Sequence, residues 1–262
     1  MNDQNIPSNR VLPTDENVVA GRNAVSELLR SGREIDSIYI QKGELRGSAV
    51  SLVAKARQRG IPVKEADSRK LDAMCGGQAH QGILAVAAAW EYARLEDILA
   101  SAGPNPFLVV ADHIEDPHNL GAIIRTAEAA GADGLIIPKR GGVGLTTAVA
   151  RSSAGAVEHL PVARVANITA ALEELKKRNI WTYCAEMEGQ NWCSVDYSGG
   201  VALVIGSEGS GVSRLVRDVC DVRVSLPMLG KITSLNASVA AGIVLYEIAR
   251  QRQGLPARDP GR

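Results

Sequence analysis

The sequence predicts an α/β protein built from two units. Short apolar segments alternate with helical segments that end at glycines along almost the whole chain. In the second half the apolar segments are continuous runs, which are typical of parallel strands buried on both faces. The length of 262 residues, with 45 % hydrophobic and 22 % charged residues, fits one or two soluble domains. Together these observations predict mostly parallel strands covered by helices.

The first predicted unit covers residues 18–90. Residues 1–17 before it are polar, contain two prolines and show no periodicity, so we expect a flexible tail. The first helix is predicted over 21–32, with Ala24, Leu28 and Leu29 on one face and a stop at Gly32. The remaining elements follow in order: strand 37–42, helix 48–60, strand 62–66, helix 68–76 and the buried strand 83–90.

A linker is predicted over residues 91–105. It contains a polar helical turn followed by Ser-Ala-Gly-Pro-Asn-Pro. Two prolines and a glycine within six residues interrupt regular structure, which places the boundary between the units near residue 104.

The second predicted unit covers residues 106–253 and repeats the alternation more strongly. Apolar runs predict its strands, and periodic segments with polar or glycine ends predict its helices. The strands are predicted over 107–114, 134–138, 159–165, 180–186, 202–208 and 222–227. The helices are predicted over 120–131, 146–155, 168–179, 212–220 and 234–252. Residues 254–262 are rich in Gly, Pro and Arg and are expected to be a flexible tail.

Composition excludes several classes of protein. The longest apolar stretch has ten residues and a membrane span needs about 20, and the N-terminus lacks the apolar core of a signal peptide. We therefore expect a cytoplasmic protein. The widely spaced cysteines form no C-x-x-C pair and indicate neither a zinc site nor a disulfide framework; they are Cys75, Cys184, Cys193 and Cys220.

Charge and aromatic content limit how the chain could bind nucleic acid. Twenty-nine basic residues balance twenty-nine acidic ones, and aromatic residues make up only 3 %. A base-stacking surface is therefore hard to build. Any RNA binding should depend on local basic side chains such as Arg22, Lys55, Arg57 and Arg59, with a shallow dependence on salt.

Ligands of open parallel sheets bind beyond the carboxyl ends of the strands, and three segments there carry candidate functional residues. In the first, residues 116–125, Asn119 can cap a helix. Arg125 follows two turns later. It is either an ordinary surface arginine or a guanidinium that grips phosphate.

The second segment, residues 204–211, has glycines spaced G-x-x-G-x-G. This is neither a dinucleotide fingerprint nor a phosphate loop, and it could be only a tight turn. Glu208 within it is unexpected, since a turn needs no carboxylate there. The third segment, residues 226–240, opens a helix with Ser234, Asn236 and Ser238. Ser234 could be a simple cap, whereas Asn236 is a poor helix former.

Together the three segments resemble the motifs of the SpoU (TrmH-type) RNA ribose 2'-O-methyltransferases of the SPOUT superfamily. They read Asn-x-Gly-x-x-x-Arg, Gly-Ser-Glu-Gly-x-Gly and Leu-Pro-Met-x-Gly-x-x-x-Ser-Leu-Asn-x-Ser-Val-Ala. Residues 21–25 and 77–83 resemble the substrate-binding domain of the branch that methylates a guanosine of 23S rRNA. The likeness covers about residues 18–253.

The resemblance implies a fold, a cofactor and an oligomeric state. The fold would be a small ribosomal-protein-like (L30e-like) α/β domain followed by an α/β methyltransferase domain with a deep trefoil knot. S-adenosylmethionine would be the methyl donor and no metal would be needed. By motif position its contacts would be Gly206, Leu226 and Leu235, with Ile205 and Met228 close by. A homodimer is expected; the apolar final helix (Val239, Ile243, Val244, Tyr246) could be its interface or could pack in the core.

The resemblance also implies the catalytic residues Asn119, Arg125, Glu208, Ser234 and Asn236. An arginine stays protonated at neutral pH and is a poor base, so Arg125 should grip the target phosphate. Glu208 would orient Arg125 or accept a proton, while Ser234 and Asn236 would hold the ribose or the knot loop. The residues leave open which group takes the 2'-hydroxyl proton.

Three other functions compete with this interpretation. The substrate could be a tRNA guanosine, or the chain could be a non-catalytic RNA-binding assembly factor, which has no need of an intact catalytic set. A nucleotide-dependent oxidoreductase would require the dinucleotide fingerprint that the chain lacks. His113 and His118 are five residues apart across Pro117, a poor spacing for a metal site.

Overall fold

The computed structural model describes residues 17–31, 33–43, 47–76, 79–88 and 90–256. Five predictions lie wholly or partly outside these residues: the tail over 1–17, the helix stop at Gly32, the segment 77–83 at Gly77 and Gln78, the strand over 83–90 at Ala89, and the tail over 254–262. The chain divides into two compact units, Met1–Trp90 and Glu91–Arg262.

The first unit is a four-stranded mixed sheet with helices on both faces. Its elements are β1 (Val18–Ala20), α1 (Arg22–Ser31), β2 (Ile35–Gln41), α2 (Ser48–Gln58), β3 (Val63–Ala66), α3 (Ser68–Met74) and β4 (Ile83–Ala87). The strand order is β1-β4-β2-β3. β2 and β3 are parallel, while β4 is antiparallel to β1 and β2. Three residues are too few to show a periodicity, which is why the sequence did not predict β1.

The two faces of this sheet have separate cores. α1 and α2 cover one face, where Leu28 and Leu52 pack with Ile38. α3 covers the other, where Leu71 packs with Leu84. The alternation of side chains along the strands therefore serves both cores, and the helices lie on opposite faces.

The second unit is a six-stranded sheet in which every pair of neighbouring strands is parallel. Its strands are β5 (Phe107–Asp112), β6 (Gly134–Pro138), β7 (Val162–Val165), β8 (Ile180–Asn191), β9 (Gly200–Gly206) and β10 (Val222–Ser225). Its helices are α4 (Leu95–Ser101), α5 (Pro117–Ala129), α6 (Thr147–Ser152), α7 (Ile168–Lys177), α8 (Arg214–Val219) and α9 (Ala237–Arg252). The order is β10-β8-β9-β5-β6-β7. The predicted parallel sheet is confirmed here.

The central strands β5 and β9 are buried along their whole length, as their continuous apolar runs predict. The predicted linker contains α4, whose Ile98 is buried in the core of the second unit. β8 runs beyond its predicted end at residue 186, because its exposed last residues pair with β10 after a register shift. All four cysteines are free.

Candidate active site

The candidate site lies at the carboxyl ends of β5 and β9, the two central strands. Asp112 ends β5 and is in register with Gly206, which ends β9. Parallel strands bring their carboxyl ends to one edge of the sheet, where ligands of such folds bind. The first two predicted segments both begin at this edge.

The first segment enters α5 through a cap that differs from the predicted one. Asp116, not Asn119, caps the helix: its Oδ1 accepts from the backbone N–H of His118 at 2.9 Å, and Pro117 occupies the first turn. Proline suits that position because its missing N–H would have no helical partner. Asn119 lies inside the first turn with 6 % of its surface exposed. Its Nδ2 donates to Oδ2 of Asp116 at 3.3 Å.

The second segment is a tight turn closed by its own backbone. Ser207 and Gly211 exchange two backbone hydrogen bonds of 3.1 and 2.9 Å. A Cβ placed on Gly206 would lie 2.0 Å from the carbonyl carbon of Gly211, so glycine is required at the end of β9. Glu208 is exposed at the tip of this turn.

The third segment leads to α9, which begins at Ala237 rather than at the predicted Ser234. Asn236 is the cap: its Oδ1 accepts from the backbone N–H groups of Ser238 and Val239 at 3.0 and 3.3 Å, and from the Ser238 hydroxyl at 2.6 Å. An asparagine side chain is well suited to this position. Asn236, a poor helix former, therefore lies just before α9 as its cap and not inside the helix.

Asn236 also joins the other two segments. With its Oδ1 committed to the helix, its Nδ2 donates to Oδ1 of Asn119 at 3.0 Å and to Oε1 of Glu208 at 3.1 Å. The hydrogen bonds thus run from Asp116 through Asn119 and Asn236 to Glu208. We call these four residues the Asn236 network; three of them are predicted catalytic residues.

The other two predicted catalytic residues are not part of this network. Arg125 is exposed on α5 and Ser234 is exposed before α9. Within the described residues neither side chain forms a hydrogen bond or ion pair. Glu208 contacts Asn236 rather than Arg125, so the expected orientation of Arg125 by Glu208 is not found. The Arg125 guanidinium is consequently available to a ligand.

The predicted cofactor-binding residues fall into a buried and an exposed group. Ile205 and Gly206 are buried at the end of β9, whereas Leu226 is half-buried after β10. Met228 and Leu235 are 36 and 39 % exposed. Apolar side chains open to solvent and a turn that only glycine fits are both suited to an apolar or aromatic ligand held by backbone groups.

Two acidic residues at the same edge were missed as site residues. Asp112 is fully buried, accepts from the backbone N–H of Ser213 at 2.7 Å, and lies 2.6 Å from Nδ1 of His113. Glu186, in the middle of β8, accepts from the backbone N–H of Val212 at 3.2 Å. Both carboxylates hold the chain that leaves the Gly206 turn. A charged residue within the otherwise apolar run predicted as strand 107–114 is the signal that could have identified Asp112.

The apolar residues of α9 divide between core and surface. Val244 is buried, which agrees with core packing, one of the two alternatives that the sequence left open for this helix. Val239, Ile243 and Tyr246 remain exposed.

The described residues hold no cluster of three or more His, Cys, Asp or Glu side chains suited to a metal ion. In the same part of the chain, every helix is too short or too polar to cross a membrane.

Comparison with known families matches both units. Residues 18–93 match the family "RNA 2'-O ribose methyltransferase substrate binding", and residues 106–246 match the "SpoU rRNA Methylase family". YacO of Bacillus subtilis (strain 168), described as a TrmH family tRNA/rRNA methyltransferase, is 48 % identical over 89 % of this chain and 95 % of its own. The predicted order of a substrate-binding unit and a methyltransferase unit is confirmed.

The solved structures that resemble this chain include RNA methyltransferases of the same family. An AdoMet-bound rRNA methyltransferase from Sinorhizobium meliloti has a TM-score of 0.62 and 26 % identity, covering 89 % of this chain and 86 % of its own. The A. aeolicus TrmH/SpoU tRNA modifying enzyme has a TM-score of 0.52 and 28 % identity, covering 63 % of this chain and 87 % of its own.

Proposed function

Because the chain belongs to the SpoU rRNA methylase family and is an RNA ribose 2'-O-methyltransferase, we propose that it methylates a guanosine of 23S rRNA with S-adenosylmethionine. The observation that carries the proposal is the Asn236 network, which brings the three motif segments together at one edge of the sheet. The reaction would take place in the cytoplasm, where its RNA substrate is found.

The residues predicted to contact the donor suit it chemically. Gly206 brings the backbone close to a ligand, and the partly exposed Leu226, Met228 and Leu235 can cover an adenine ring and exclude water. S-adenosylmethionine supplies a methyl group on a sulfonium, which is already activated for transfer to oxygen. A metal is unnecessary for such a transfer.

The protein's part in the reaction is then positioning and proton removal. Arg125 would hold the phosphate of the target nucleotide, since its planar guanidinium pairs with two oxygens. Asn119, Asn236 and Glu208 would fix the edge of the sheet against which the ribose lies. The bound donor would supply its methyl group to the 2'-oxygen as its carbon–sulfur bond breaks, and the hydroxyl proton would pass to a base of the protein. Glu208 is a carboxylate at this position that can accept it; Ser234 would contact the ribose.

The choice of ribosomal RNA is supported by the presence of both units. The Sinorhizobium meliloti rRNA methyltransferase covers 89 % of this chain, enough to include most of both. The A. aeolicus tRNA modifying enzyme covers 63 %, which is too little to include both. A first unit dedicated to substrate binding suits a large folded RNA.

We further propose that the chain works as a homodimer and carries a trefoil knot. Val239, Ile243 and Tyr246 follow one another at helical spacing and are all partly exposed on α9. An apolar stripe of this kind suits a two-fold interface. Ile243→Glu should therefore give monomers by light scattering, and dimers of this variant would contradict the assigned face. The knot would include the segment between β10 and α9.

The proposed function is tested by transfer of labelled methyl from S-adenosylmethionine to unmodified 23S rRNA, with Arg125→Ala beside it. Alkali-resistant label at one guanosine, lost in the variant, is the expected result. Label on tRNA instead would overturn the substrate. Cofactor binding without transfer to either RNA would favour an assembly factor.

A further inference from the structure

The first unit has a net positive charge, although the net charge of the whole chain is zero. Residues 18–90 contain eleven Lys or Arg against seven Asp or Glu, although the whole chain has twenty-nine of each. The excess is therefore local to the unit that matches the substrate-binding family. A polyanionic substrate would be attracted to this unit more than to the rest of the chain.

Part of this charge surrounds a groove between α1 and α2. The groove encloses about 230 Å³. Its apolar floor is Leu29 of α1 and Leu52 of α2, which are buried. Its walls are polar or basic: Ser26, Arg30, Lys55, Gln58 and Arg59. None of the described side chains that line it is a carboxylate.

Two of the three cations around the groove are available to a ligand. Arg30 and Lys55 are exposed and form no ion pair or hydrogen bond within the described part of the chain. Arg59 donates to the backbone carbonyl of Leu29, so it joins α2 to the end of α1. Arg30 of α1 and Lys55 of α2 can therefore both hydrogen-bond to phosphate. Arg59 helps to hold the two helices in place beside the groove.

On the opposite face of the same unit, basic side chains already contact an aromatic ring. Lys64 and Lys70 lie 5.3 and 5.7 Å from the ring centre of Tyr39. Tyr39 packs with the α3 core, on the face away from α1 and α2. These two ammonium groups already have a cation–π partner, whereas those in the groove do not.

We propose that the α1–α2 groove binds the sugar-phosphate backbone of the substrate RNA, with Arg30 and Lys55 each neutralising a phosphate. The proposal rests on the proposed function, since RNA is the polyanion that this unit meets. Ser26 and Gln58 supply hydrogen-bond donors for the same backbone. The groove gives affinity and register through phosphate contacts, and its described lining holds no aromatic side chain on which a base could stack.

The test compares Arg30→Gln/Lys55→Gln with Lys64→Gln/Lys70→Gln in the full chain. Both doubles remove two charges from one unit, on opposite faces of its sheet. Binding of unmodified 23S rRNA transcript is measured by filter retention over a range of salt, independently of methyl transfer. The groove variant should bind about tenfold more weakly or worse at 0.1 M salt, and its log–log salt slope should fall by about 1.4 to 1.8. The control variant should keep the wild-type slope.

Other measurements separate this site from catalysis and from folding. The KM for RNA should rise in the groove variant, while kcat, the Kd for S-adenosylmethionine and the thermal midpoint stay at wild-type values. Unchanged RNA affinity and slope would overturn the proposal, and so would an equal loss in the control. If the wild type binds the transcript but transfers no methyl to it, the proposed function fails while the binding comparison still tests the groove.

Discussion

Replacing Asn236 separates its two structural roles, capping α9 and joining the motif segments. Asn236→Ser keeps an oxygen that can cap the helix but has no amide to reach Asn119 and Glu208. Asn236→Ala removes both roles. Comparing the two variants therefore isolates the bridge.

The magnitudes follow from the contacts. Losing the cap costs about 1 kcal/mol. Losing the bridge leaves Oδ1 of the buried Asn119 without its donor, which costs about 1 to 3 kcal/mol; water entering the vacated space favours the lower end. The bond to Glu208 adds little because that carboxylate is exposed. Asn236→Ser should thus lose about 1 kcal/mol of unfolding free energy and Asn236→Ala about 2 kcal/mol.

Catalytic activity should depend on the hydrogen bonds from Asn236 to Asn119 and Glu208, and not on the capping of α9. Both variants release Glu208 and Asn119 from their shared donor, so both should lose about 100-fold in kcat. Urea unfolding and single-turnover methyl transfer are the two measurements. A serine variant with wild-type kcat, or activities that parallel the two stabilities, would refute the role of the bridge.

Three further predictions concern the rest of the second unit. Arg125→Ala should lower kcat/KM for RNA by about 100- to 1,000-fold and change unfolding free energy by less than about 0.5 kcal/mol; a large loss of stability would show that the side chain is structural. Gly206→Ala should abolish S-adenosylmethionine binding by calorimetry, because its Cβ would meet backbone at 2.0 Å, whereas Gly209→Ala, with open space around it, should bind normally; equal behaviour of the two would contradict the close-approach argument. Burial would raise the pKa of Asp221, but the hydrogen bond from Lys176 at 2.7 Å, the two hydrogen bonds from Thr182 and the charge of Lys176 together outweigh it and lower that pKa. Its folded pKa thus lies below its unfolded value, so the stability lost in Asp221→Asn should be seen at pH 7 and disappear as pH falls below about 4; a pH-independent difference in urea unfolding would contradict this.

Local pattern was sufficient for most of the fold. The continuous apolar runs predicted β5 and β9 because strands buried on both faces need no alternation. The local sequence pattern did not predict elements that depend on pairing with a distant strand. The last residues of β8 are polar and exposed, and they form a strand only because β10 pairs with them. β1 depends in the same way on β4.

The site residues were identified from motifs, but two local roles were misassigned. Asn119 was expected to cap α5, although the Asp-Pro pair before it is the stronger cap signal. Ser234 was considered as the cap of α9, where Asn236 does this instead. The bond between Asn236 and Asn119 has no local signal, because nothing in either segment indicates that a residue 117 positions away lies beside it.

That separation of 117 positions also sets when the site can exist during synthesis. Contacts between distant residues form late, since a long loop must close first. The chain is made from its N-terminus, so the whole of the first unit leaves the ribosome well before α9 does. The asparagine that completes the site arrives with α9. On the proposed function, an emerging chain would hold RNA before it could modify it, because methylation would wait until α9 completes the Asn236 network.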